Sequence, residues 1–90
     1  APNTKTKLLN KEEMDKINDS DCVAITIQGN PVLTKQVFQM PSNAQEYAKV
    51  LYSTLREADN AGVSRIVIER PCTAPVWLAV IDRLERCCSD

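Results

Sequence analysis

Ninety residues, 43% hydrophobic and 26% charged, bound the chain to one small globular domain and exclude global disorder. Eleven Lys and Arg against twelve Asp and Glu leave a formal charge of −1, so there is no net attraction to a phosphate backbone, and direct nucleic-acid binding by this chain is not expected. No apolar run approaches the roughly 20 residues that span a bilayer, and the opening APNTKTK lacks the apolar segment of a signal peptide, so a cytoplasmic protein is the simplest expectation.

The chain opens on Ala1, which suggests a processed product, a piece of something longer or an expression scar. Residues 1–9 alternate Thr and Lys before Leu8 and Leu9, the pattern of a connecting arm that becomes a short edge strand. Asn10 followed by Glu13 is a capping-box pattern, and a short helix from Lys11 to about Asn18 is expected, with Met14 and Ile17 as its thin apolar stripe. Asp19, Ser20 and Asp21 read as a turn. Cys22 to Ile27 (CVAITI) is nearly continuous in apolar and β-branched residues, as in a central strand covered on both faces.

Gln28 to Pro31 (QGNP) signals a turn, Val32 to Lys35 a helical turn or irregular link, and Gln36 to Met40 (QVFQM) a short strand. Residues 28–35 are too few for an ordinary helical crossover. The two strands are therefore either antiparallel or joined by an irregular crossover. Pro41 and Ser42 begin a long helix, with Ser42 and Gln45 forming a second capping-box pattern. Tyr47, Ala48, Leu51, Leu55 and Ala58 lie on one face of it, and Arg56 and Asp59 are spaced for an ion pair. Gly62 ends this helix, and Arg65 to Glu69 (RIVIE) is a strand. A strand, a helix and a strand in this order make QVFQM and RIVIE parallel, joined by a right-handed crossover. After Pro71, Thr73 is placed to cap a last helix with Pro75 in its first turn and with Trp77, Val80, Ile81 and Leu84 facing inward. The fold class is α/β: an open, mostly parallel sheet of about four strands with three helices.

Reaction chemistry is sparse. Gly29 and Gly62 stand 33 positions apart and satisfy no nucleotide-binding fingerprint, so no cofactor cradle is expected. Histidine is absent, which removes Ser-His-Asp and Cys-His arrangements. Cys22, Cys72, Cys87 and Cys88 contain no CxxC pair and suit neither a disulfide framework nor zinc; reduced thiols are the default. The paired carboxylates Glu12-Glu13 and Glu57-Asp59 belong to solvated helix faces.

The best candidate site is Glu69-Arg-Pro-Cys-Thr-Ala74, because ligands in open α/β sheets bind outside the carboxyl ends of parallel strands, and this segment leads into a helix start. Cys72, just before the expected cap, would then have a lowered pKa. The bland reading makes Glu69 and Arg70 a surface ion pair, Pro71 a turn residue and Cys72 a filler. Asp82 and Arg83, polar neighbours of the buried stripe, suit an interface. Trp77 suits the core.

The run EYAKVLYSTLREADNAGVSRIVIERP, followed by APVWLAVIDRLERC, resembles the C-terminal domain of the long, two-domain threonylcarbamoyl-AMP synthases. The resemblance rests on Tyr47, Leu51, Tyr52, Leu55, Arg56, Asp59, Gly62, Ile66, Val67, Glu69, Pro71, Trp77, Ala79, Val80, Asp82, Arg83, Leu84 and Arg86. Ala1-Pro2 looks like the end of that family's linker motif, His-Tyr-Ala-Pro, which extends the resemblance over the whole chain.

It implies that residues 1–90 form one Rossmann-like accessory domain, with 1–9 as linker end and edge strand. The catalytic N-terminal domain, a nucleotidyltransferase using ATP and magnesium, would be its partner and is absent here. No catalytic residue and no cofactor carry over to this chain. The implied function is support of threonylcarbamoyl-AMP formation from threonine, bicarbonate and ATP for tRNA modification. Possible ligand or interdomain contacts are Glu69, Arg70, Cys72, Thr73, Asp82 and Arg83. Cys87 and Cys88 depart from the family's alanines, and CTAPVW departs from its usual turn. Competing readings are a free-standing small-ligand or thiol-redox module centred on Cys72, and a protein-interaction module.

Overall fold

A computed structural model describes residues 3–27 and 32–88. Strand β1 (Lys5–Leu9) runs into helix α1 (Lys11–Asp15) through the expected capping box. The Asn10 side chain accepts from the Glu13 N–H at 2.8 Å, and the Asn10 N–H donates to Glu13 Oε1 at 3.1 Å. The helix stops short of Asn18. It has one residue to bury, Met14, and residues from Asn18 onward are drawn into the sheet by pairing with Leu33 and Thr34.

The strand expected from Cys22 therefore begins earlier: β2 is Asn18–Thr26, and Asp19, Ser20 and Asp21 are extended rather than a turn. A register shift between Asp19 and Val23 accommodates them. The carboxylates of Asp19 and Asp21 both reach across to β4 and the residue before it. Asp19 Oδ2 accepts from Arg65 Nε at 2.9 Å, Asp19 Oδ1 accepts from the Asp21 N–H, and the Asp21 carboxylate takes the Ser64 hydroxyl.

Strand β3 (Leu33–Gln39) likewise absorbs residues 33–35, read above as a helical turn or link. The pairing of β2 with β3 is parallel, so of the two possibilities left open the antiparallel one is excluded. Val32, just before β3, packs with Met14, Cys22, Ala24 and Val67, on the same side of the sheet as α1. The QGNP turn lies outside the described residues.

Helix α2 (Ala44–Asp59) buries Ala44, Tyr47, Leu51, Leu55 and Ala58. Its cap is Asn43 rather than Ser42: the Asn43 side chain accepts from the N–H groups of Gln45 and Glu46 at 2.9 and 3.1 Å. Two good cap residues stand side by side here, and the chain uses the second. Gly62, at φ +74°, turns the chain after the helix. Strand β4 (Arg65–Glu69) has the expected limits. A 3-10 turn (Pro75–Trp77) then leads into α3 (Leu78–Cys87), which buries Val80, Ile81 and Leu84.

The strand order is β1-β4-β2-β3 and every pairing is parallel. The two inner strands are the two continuous apolar runs, as a sheet covered on both faces requires. Val23, Ile25, Ile66 and Ile68 point to one face, where they meet Leu51, Leu55, Trp77 and Leu84 of the helical layer. Cys22, Ala24 and Val67 point to the other, beneath Met14 and Val32. This is a small open α/β sheet of Rossmann-like type.

Asp59 does not pair with Arg56 as its spacing suggests. Its carboxylate reaches the arm before β1, accepting from the Thr4 N–H at 2.7 Å, the Thr4 hydroxyl at 2.6 Å and the Asn3 N–H at 3.2 Å.

Candidate functional site

The carboxyl end of β4 delivers the turn that the sequence singles out, and its residues divide among separate tasks. Glu69 is half-buried, and its Oε1 accepts the Ile27 N–H at 3.0 Å, tying the exit of β2 to the end of β4. The expected ion pair with Arg70 is not made. Arg70 instead donates its N–H to Leu9 O at 2.7 Å, extending the β1–β4 ladder by one step, and its Nη1 lies 3.6 Å from Glu85 Oε2 of α3. Adjacent residues in a strand point to opposite sides, which is why Glu69 and Arg70 find different partners.

Pro71 is buried, whereas Cys72 and Thr73 are exposed. Thr73 caps nothing. The first turn is made by the Trp77 N–H donating to Ala74 O at 2.8 Å, Ala74 supplies no side-chain cap, and Pro75 begins the 3-10 turn with its fixed φ. The α-helix starts only at Leu78, six positions after Cys72, so the helix end expected to act on this thiol is not next to it. Asp82 pairs with Arg86 one turn on, at 3.1 Å, and Arg83 is exposed on the outer side of α3. Arg70 and Glu85 are brought together; Asp82 is held within its own helix.

Around Arg70 the structure builds an open cavity of about 620 Å³. Lys7, Leu8 and Leu9 of β1 line it, with Glu13 of α1, Glu85 of α3 and Cys88. Successive residues of β1 face opposite sides of the sheet, so the cavity wraps around the outer edge of that strand, between α1 on one face and α3 on the other. Its walls hold two cations and two anions. Sequence reasoning missed Lys7, Glu13 and Glu85 because it left the strand order open: only the β1–β4 pairing brings residues near position 10 to the end of RIVIE.

Beneath this end, Tyr47 and Trp77 meet edge to face, with ring centroids 5.3 Å apart. Trp77 is a core residue, as expected. The Tyr47 hydroxyl is buried without a hydrogen-bond partner, and its pKa is pushed well up by burial first and by the nearby Glu69 and Cys88 second. Burial likewise pushes the Cys22 thiol up. Among the described residues no cluster of three or more His, Cys, Asp or Glu could hold a metal ion, and no helix is long and apolar enough to cross a membrane.

A four-stranded parallel sheet with helices on both faces, whose carboxyl-end residues are mostly spent on internal contacts, defines a small Rossmann-like α/β domain. Its family follows from the sequence: the profile of the threonylcarbamoyl-AMP synthase C-terminal domain matches residues 1–89, and the chain belongs to that family. Neither the comparison with curated proteins nor that with solved structures gives a match.

Proposed function

We propose that this chain is the accessory domain of a threonylcarbamoyl-AMP synthase. It supports formation of threonylcarbamoyl-AMP from threonine, bicarbonate and ATP, for tRNA modification, and the chemistry is carried out by a preceding catalytic domain of the nucleotidyltransferase type. The observation that carries this reading is the match of residues 1–89 to the C-terminal domain of such synthases. The geometry agrees with a supporting part: Glu69 and Arg70 brace strand and helix ends.

ATP and magnesium belong, on this reading, to the catalytic domain. Gly62 has open space where a Cβ would stand and serves to turn the chain after α2, which is not the close backbone approach of a phosphate cradle.

The test is reconstitution. Three proteins are prepared: the 90-residue chain, the catalytic domain of the synthase, and the two joined. ATP-dependent formation of the threonyl adenylate is then followed. The joined protein should exceed the catalytic domain alone in turnover or thermal stability, and the 90 residues should be inactive. Turnover by the 90 residues alone, or a catalytic domain indifferent to the presence of this one, overturns the reading.

A further inference from the structure

A carboxylate in the last turn of a helix is set against the partial negative charge of that end, where a cation is favoured. Asp59 is the final residue of α2, and Arg56 is the basic residue of its last turn. Helix physics alone gives Asp59 no reason to be acidic. What offsets the position is tertiary: three donors, the Asn3 N–H, the Thr4 N–H and the Thr4 hydroxyl, all converge on this one carboxylate from 55 and 56 positions away. The arm ahead of β1 is thereby fixed before the first strand residue, Lys5, makes any ladder contact.

The direction of this arm is also defined. All four strands are parallel, and Lys5 pairs with Arg65 at the start of β4, so the arm meets the sheet at the amino ends of the strands. Two other side-chain links seal the same end, Asp19 with Arg65 and Asp21 with Ser64. The cavity around Arg70 lies at the opposite end of β1, about 13 Å along the strand at roughly 3.3 Å per residue.

We infer that Asp59 is the anchor that fixes where the polypeptide preceding Asn3 leaves this domain, and through it the orientation of a preceding domain. It is a positioning residue acting through Thr4, and it roots that domain at the amino ends of the strands. The second half of this inference rests on the accessory-domain reading above; the first half does not.

Two measurements separate the parts. In the 90-residue chain, amide hydrogen exchange at Asn3 and Thr4 reads the anchor itself. Asp59→Ala should speed exchange at Thr4 by about tenfold or more while leaving the amides of β2 and β4 protected. Asp59→Asn, which keeps an acceptor oxygen, should restore part of the protection, and Thr4→Val should act on the same side as Asp59→Ala. Unchanged exchange at Thr4 overturns the anchor.

In a two-domain synthase carrying this chain, spin labels on the outer faces of α3 and of the catalytic domain report the spread of interdomain distances. Asp59→Ala should broaden that distribution and Asp59→Asn should narrow it again. A distribution indifferent to Asp59→Ala, with faster exchange at Thr4, overturns the positioning role while leaving the accessory function intact. Loss of the accessory function shows instead in the reconstitution assay, with the exchange result unchanged.

Discussion

Glu69 Oε1 takes the backbone N–H of Ile27 at 3.0 Å, across the ends of two strands that are neighbours in the sheet but 42 positions apart in the chain. The bond closes the central pair where β2 leaves the ladder. Glu69→Ala leaves a partly buried N–H without its charged acceptor and should cost about 1–3 kcal/mol. Glu69→Gln keeps an oxygen in place and should cost less. Urea unfolding of the two variants beside the parent chain checks the order, and an Ala variant as stable as the Gln variant would remove this bond from the account.

Tyr47 provides the opposite case. Its hydroxyl is buried without a partner, so Tyr47→Phe removes a desolvated polar group while keeping the ring and its edge contact with Trp77. The variant should match or exceed the parent in stability, by up to about 1 kcal/mol. Tyr47→Ala, which empties a fully buried site, should cost about 3–5 kcal/mol. The midpoint of thermal unfolding reports both signs.

Acid should unfold the chain partly through two aspartates. The Asp19 carboxyl is held below the usual range by the Asp21 N–H first and by Arg65 second, and Asp59 by the Thr4 hydroxyl first and then by the Thr4 and Asn3 N–H groups. A carboxyl whose folded pKa is depressed binds protons more weakly than in the unfolded chain. Its contribution is therefore full well above the ordinary value of about 3.9 and is lost as pH falls through the lower, folded value. Asp19→Asn and Asp59→Asn should each lower stability at pH 7 and flatten its fall below about pH 4. Urea midpoints recorded from pH 7 to pH 2 test this: parent and variant curves should converge at the acid end.

The cysteines should separate cleanly by access. Cys72 is exposed and Cys22 is fully buried, with its thiol pushed up by that burial. A thiol reagent should modify Cys72 in the folded protein, whereas Cys22 should react only as fast as the sheet opens. Mass mapping of the modified peptides over time distinguishes them.

Gly62 gives a purely conformational prediction. A Cβ there would meet nothing within 4 Å, yet φ is +74°. Gly62→Ala should cost about 1–2 kcal/mol from the backbone alone, and Gly62→Asn should cost less. Equal stability of all three proteins would mean that the turn relaxes without cost.

How much of this was legible in the sequence varies with how local the cause is. Arg65–Glu69 was readable to the residue, because an Ile-Val-Ile run is bracketed by Gly62 and Pro71, and each signal acts on its own neighbourhood. The buried stripe of α2 was readable for the same reason. Asp19 to Asp21 was misread although Asp19 Oδ1 does accept from the Asp21 N–H two residues on; the second Asp19 oxygen and the Asp21 carboxylate are taken by Arg65 and Ser64, partners more than 40 positions away that hold the segment in the sheet. The parallel sense of β2 and β3 was undecidable, since the short link between them argues for a hairpin and the pairing is set by the sheet. At the candidate site, Arg70 was found and its neighbours Lys7, Glu13 and Glu85 were not, because the strand order that joins them leaves no mark on either segment.

That strand order also sets a timetable. The first strand, β1, has a single neighbour, β4, and Lys5 must wait for Arg65. At a synthesis rate of roughly 5–20 residues per second, the interval between making the two is about 3–12 s. During it the other three elements of the amino-terminal half can form, but β1 has no edge to join. The strand nearest any preceding domain is thus the last to be seated as the chain emerges from the ribosome, and the sheet becomes complete only when its earliest-made piece is captured by its latest.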